Sequence, residues 1–73
     1  MSNNLYSANK RTKLQVTSVP MNALLESIGI RSGTRVRVQN RYAFGGPVLL
    51  RVEDAFSVAL GKEIATQIGV LEI

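Results

Sequence analysis

The side chains able to do chemistry in this chain are hydroxyls, five carboxylates and nine lysines and arginines; it has no histidine and no cysteine. A serine or threonine nucleophile therefore has no imidazole base beside it. A Ser/Lys pair would be the remaining route, and nothing in the order of residues brings Lys62 to a hydroxyl. Zinc sites built from Cys and His are excluded, and ferrous iron prefers imidazole together with carboxylate. Glu53 and Asp54 are adjacent, so on a strand they would point to opposite faces, and they read instead as a structural turn. Gly45-Gly46-Pro47 lacks the Gly-Lys-Ser/Thr ending of a phosphate loop. The expectation is a non-enzyme with no catalytic residue, no metal ligand and no cofactor.

What remains is recognition. The net charge of +4 favours acidic partners, although the same charge also serves solubility. Arg35, Arg37 and Gln39 alternate with Val36 and Val38, so the three polar side chains share one strand face. Arg41 continues that face if the strand extends, Tyr42 and Phe44 follow in a loop, and Arg51 and Leu49 point outward from the next strand. Arginine and aromatic residues anchor interfaces, and the guanidinium forks onto carboxylate or phosphate. Arg35, Arg37, Arg41, Tyr42, Phe44, Leu49 and Arg51 are the candidate partner-binding set. The alternative is a solvated face, with Tyr42 or Phe44 folded under the loop.

The elements that must hold these residues are short. Residues 1–11 are polar and read as a flexible N-terminal arm or a first, poorly fixed strand, with one domain over residues 12–73. Leu14 and Val16 alternate with Lys13, Gln15 and Thr17, which predicts a strand. Met21, Leu24, Leu25 and Ile28 lie at i, i+3, i+4 and i+7, one face of a short helix begun near Ser18 or Pro20 and ended by Gly29. Arg31 to Thr34 is a turn in which Gly33 permits positive φ. Strands follow over 34–39, over 48–52 with Val48, Leu50 and Val52 inward, and over 56–60 with Phe56, Val58 and Leu60 inward. Ile64, Ala65 and Ile68 mark one or two helical turns, and residues 70–73 a last strand. The order is mainly β, with about five strands and one or two short helices. Antiparallel strands on short loops point to a small closed or partly open barrel.

Three stretches in this order resemble one family. Leu24 to Val38 is similar to the FeoA pattern of a short helix, a Leu-Gly-Ile-like step (here Ile28-Gly29-Ile30), a Pro-Gly-Thr turn (Ser32 in place of Pro) and an alternating strand. Gly45-Gly46-Pro47-Val48 resembles its approach to the next strand, and Val58 to Val70 its closing segment, with Gly61 in place of a basic residue. The resemblance covers about two-thirds of the chain. It implies an SH3-like barrel, no established catalytic residues, and a cytoplasmic helper that binds the cytosolic part of a FeoB-type ferrous iron transporter. A similar domain is fused to iron-dependent repressors, so partner binding is the implied common theme.

Two other readings stay open at this point. Positive charge with Tyr42 and Phe44 also fits a nucleic-acid-binding small β-barrel, against which the five dispersed acids count. Ile28 to Val38 further suits a swapped-hairpin DNA-binding domain, which would be dimeric. The adaptor reading expects a monomer that does not bind nucleic acid. No apolar run reaches the ~20 residues of a membrane span, and Met1 to Tyr6 does not read as a signal peptide, so a cytoplasmic protein is expected.

Overall fold

The computed structural model describes residues 3–73. Its elements run β1 (Asn3–Asn4), β2 (Lys13–Ser18), α1 (Ala23–Ile28), β3 (Arg35–Arg41), β4 (Val48–Val52), β5 (Phe56–Leu60), α2 (Lys62–Ala65) and β6 (Gly69–Glu72). Every strand pairing is antiparallel, in the sheet order β1-β6-β2-β3-β4-β5. Among the described residues β5 and the two-residue β1 are the free edges, so strand pairing does not close this small barrel completely.

Alternation explains most of the core. Leu14 and Val16 of β2, Val36 and Val38 of β3, and Val48, Leu50 and Val52 of β4 are buried, each at the period of two that sends one set of side chains inward. Leu25, Ile30, Leu60, Ala65, Ile68 and Val70 join the interior from the connections and from β5 and β6. Thr34 is the buried polar residue among those described. Its hydroxyl donates to the Gly29 carbonyl at 3.2 Å and accepts from the Arg31 N–H at 3.0 Å, so neither backbone group is left unpaired.

Four expectations are corrected. The segment read as a loose arm carries Leu5 and Ala8 into the core, both almost fully buried, and the Leu5 N–H donates to the Ile68 carbonyl at 2.8 Å. The part of that expected arm formed by residues 1–2 lies outside the described residues. The helix starts later than its apolar spacing implied. Asn22 is the N-cap, its side-chain oxygen accepting from the Leu24 and Leu25 N–H groups, which satisfies donors that have no partner within the helix. Met21 therefore precedes the helix and is fully exposed, Leu24 is 47% exposed, and Leu25 is the buried residue of α1. Phe56, expected inward, is 39% exposed, because it begins the edge strand β5, which has a neighbour on one side only.

The fourth correction concerns Arg41. β3 carries a bulge: Val38 pairs with Leu50 and Asn40 with Leu49, leaving Gln39 as the extra residue. One inserted residue moves everything after it to the other face. Arg41 consequently lies opposite buried Val48 rather than on the face of Arg35 and Arg37.

Candidate functional site

The register of the sheet decides which candidate residues meet. Lys13 lies opposite Arg37, and Arg37 opposite Arg51, so three basic side chains form one row across β2, β3 and β4 on the outer face. Ser57 of β5 continues the row opposite Arg51. Arg35 stands two residues before Arg37, opposite Gln15. Lys13, Arg35, Arg37 and Arg51, with Glu53, Asp54 and Ile73, line a cleft of about 160 Å³.

The β4–β5 turn supplies its carboxylates. Glu53 and Asp54 have φ of 52° and 55°, both in the left-handed region, within a three-residue connection (53–55) that the Ala55 N–H closes by donating to the Val52 carbonyl at 2.9 Å. In that conformation the two acids do different things. The Glu53 carboxylate accepts from the Arg35 N–H at 3.1 Å, and Asp54 forms an ion pair with Arg37. Arg51 donates to the Asp54 carbonyl at 3.1 Å and to the Ser57 hydroxyl at 3.4 Å, while Ser57 donates to Gln39 at 2.8 Å. Arg37 and Arg51 are thus oriented by the turn. Among the described residues no group of three acids is placed to hold a metal ion.

The remaining candidates sit elsewhere. Arg41 donates to the Ala8 carbonyl, and its guanidinium carbon lies 6.0 Å from the centre of the Tyr6 ring, with Lys62 5.4 Å from the same ring. Arg41 thereby holds the N-terminal segment down. Tyr42 and Phe44 belong to the β3–β4 loop; Tyr42 is 46% exposed and Phe44 fully exposed, with φ of 60°. A side chain at Gly46 would stand 2.9 Å from the Tyr42 Cβ, which is why the loop closes on glycine. Four residues of strand, roughly 13 Å, separate Arg37 from Arg41, so the loop tip and the arginine face are distinct surfaces. Leu49, half-buried, shares the outer face of β4 with Arg51, two residues along, and lies opposite Asn40. Lys13 was missed by sequence reasoning. Its position on an alternating strand was visible, but its alignment with Arg37 depends on pairing between distant segments.

A second hollow, of about 480 Å³, lies beside α1 and is lined by Val19, Pro20, Met21, Leu25, Ile30 and neighbouring polar groups. Its rim carries the exposed Met21.

A curled antiparallel sheet with short connections and two small helices defines an SH3-like β domain, in which the charged outer face and the apolar hollow are surface features. The chain belongs to the FeoA domain family, whose model matches residues 3–72. Its fold is similar to that of an iron uptake regulatory protein (FeoA), at 25% identity and a TM-score of 0.85, over 100% of this chain and 99% of that one. It is also similar to a manganese-dependent transcriptional repressor, at 26% identity and a TM-score of 0.87. There the match covers 99% of this chain and spans 42% of the repressor's length. A FeoA-like protein from Clostridium acetobutylicum shares the fold, at 22% identity and a TM-score of 0.82, over 99% of this chain and 87% of that one. Among curated proteins no sequence matches the chain. No helix among the described residues is long and apolar enough to cross a membrane. Family membership supports a role in ferrous iron transport or its regulation.

Proposed function

We propose that the protein is a cytoplasmic accessory of ferrous iron transport that acts by binding the cytosolic part of a FeoB-type transporter, without catalysing a reaction. The observation that carries this reading is the outer face of β2, β3 and β4, where Lys13, Arg37 and Arg51 align in a domain of the FeoA family. A row of like charges across a sheet is unfavourable in the free domain, by roughly 0.2–1 kcal/mol for each opposed pair, and a partner of opposite charge relieves it. The domain serves as a monomer, presenting Arg35, Arg37 and Arg51 to an acidic or polar surface. Iron uptake is assisted by touching a protein rather than by holding the metal: the chain has no histidine, and its five carboxylates are dispersed.

The separation of Tyr42 and Phe44 from the arginine face counts against the nucleic-acid reading. Stacking platforms interleave aromatics with the charges that follow the backbone, and here the two groups occupy different surfaces.

Titration of the isotope-labelled chain with the cytosolic domain of a FeoB-type transporter tests the proposal. Binding at micromolar concentration with amide shifts at Arg35, Arg37 and Arg51 is expected. No binding in that range, or shifts confined to α1 or α2, would count against it.

A further inference from the structure

The row of Lys13, Arg37 and Arg51 has a more specific use than general attraction. Side chains directly opposite across an antiparallel pair have Cβ atoms only ~4.5–5.5 Å apart. Three cations held so closely form a strong local field. Among the described residues the one ion pair is Arg37 with Asp54, which leaves Lys13, Arg35 and Arg51 without a carboxylate partner. Lys13 and Arg35 are exposed, and Arg51 is held in place by the Asp54 carbonyl and by Ser57.

The shape of the cleft narrows the choice of anion. Its volume of about 160 Å³ is below the ~300–1,000 Å³ of pockets that enclose small-molecule ligands. One or two carboxylate side chains are of a size with such a cleft. Glu53 and Asp54 on its rim repel a continuous phosphate backbone but still permit a discrete carboxylate between Lys13, Arg35 and Arg51. Ile73 lines the same cleft and is 55% exposed, and Leu71, 41% exposed, lies opposite Gln15 in the neighbouring row. An apolar side chain next to the acids therefore finds apolar surface beside the cations.

We infer that this cleft is a binding site for an acidic peptide segment of a partner protein, one whose carboxylates enter between Lys13, Arg35 and Arg51 while an adjacent apolar residue rests on Ile73 and Leu71. The site rests on the reading of this face as the domain's contact surface. Asp54 acts as the resident competitor, occupying Arg37 until an incoming carboxylate shares it. Because the attraction is between surface charges, it weakens as salt shortens the screening length from ~10 Å at 0.1 M to ~3 Å at 1 M.

The test is a titration of the labelled full chain with a synthetic blocked pentapeptide, Glu-Glu-Leu-Glu-Glu, and with its Gln-Gln-Leu-Gln-Gln counterpart. The acidic peptide is expected to shift amides at residues 13–15, 35–37, 51–54 and 71–73, and to bind about tenfold more tightly than the glutamine peptide, the lower end of what a hydrogen bond to a charged group contributes. K13Q combined with R51Q should weaken it about tenfold, and D54N should tighten it several-fold by releasing Arg37. Opposite effects from two surface substitutions distinguish binding from misfolding, and well-dispersed amide spectra of both variants check the fold. Equal affinity for the two peptides, shifts elsewhere, or tighter binding of a short duplex DNA at the same residues would overturn the assignment. The FeoB-type cytosolic domain separates the two proposals. If the acidic peptide binds and that domain does not, the cleft stands and the transporter reading falls. If that domain binds K13Q/R51Q as well as the unaltered chain, the cleft falls and the transporter reading stands.

Discussion

Thr34 shows how much one hydroxyl carries when it is buried. It bonds the Gly29 carbonyl and the Arg31 N–H at once, tying the end of α1 to the start of β3. Thr34→Val keeps the shape and strands both backbone groups, so it should cost about 1–3 kcal/mol in urea unfolding. Thr34→Ser retains the hydroxyl and gives up one methyl group, at about 1 kcal/mol. A valine variant as stable as the serine variant would show that water satisfies those groups. The opposite sign is expected at Lys13, which faces Arg37. Lys13→Glu turns a like-charge pair into an opposite pair and should stabilise the free domain by about 0.2–1 kcal/mol at low salt, with the gain shrinking as salt is added. Thermal melts at two ionic strengths measure it. A domain whose stability rises when a surface charge is reversed has kept that charge for contact with something else.

At the scale of elements, the ends of α1 were unequally legible. Gly29 was readable as a stop because a left-handed residue after a short helix is a local requirement, and it has φ of 83°. No neighbouring atom lies within 4 Å of where a Cβ would sit, so the cost of Gly29→Ala is conformational and should be about 1 kcal/mol. A chemical-denaturation midpoint unchanged by that substitution would mean that the cap can relax. The start of the helix was misread because Met21 fits the i, i+3, i+4 spacing while lying outside the hydrogen-bonded turns, which begin after Asn22. The alternation of β2, β3 and β4 predicted the buried valines and leucines, since a half-wet strand writes its two faces into the sequence. The bulge at Gln39 left no such trace. Nothing in Val38-Gln39-Asn40 announces an extra residue, so the arginine face was extended one residue type too far, to Arg41. Arg35, Arg37 and Arg51 were legible as outward-facing; that Lys13 joins them is a fact of pairing between segments more than twenty residues apart.

The whole molecule depends on its first residues more than their composition implies. The segment before β2 is mostly polar, and two apolar residues three apart make no convincing period. Yet Leu5 is fully buried and Ala8 nearly so, and Arg41 grips the Ala8 carbonyl from the far end of β3. The reason is global: a sheet whose edges do not meet leaves apolar interior open to water, and the nearest free chain covers it. A domain of 73 residues has a total stability of about 4–11 kcal/mol, at roughly 0.05–0.15 kcal/mol per residue. Leu5→Ala, a large-to-small change at a sealed core position, should cost about 2–5 kcal/mol. That is a substantial share of the total, enough to lower the melting temperature by about 10 °C or more. A loose arm would lose under about 0.5 kcal/mol on the same substitution, as surface positions do. Urea unfolding of the full chain decides between these outcomes. Hydrogen exchange locates the effect, because the Leu5 and Arg11 N–H groups, bonded to the Ile68 and Val38 carbonyls, report directly on whether the segment stays docked. If the substitution is neutral and those two amides exchange freely in the unaltered protein, the barrel closes without its N-terminus.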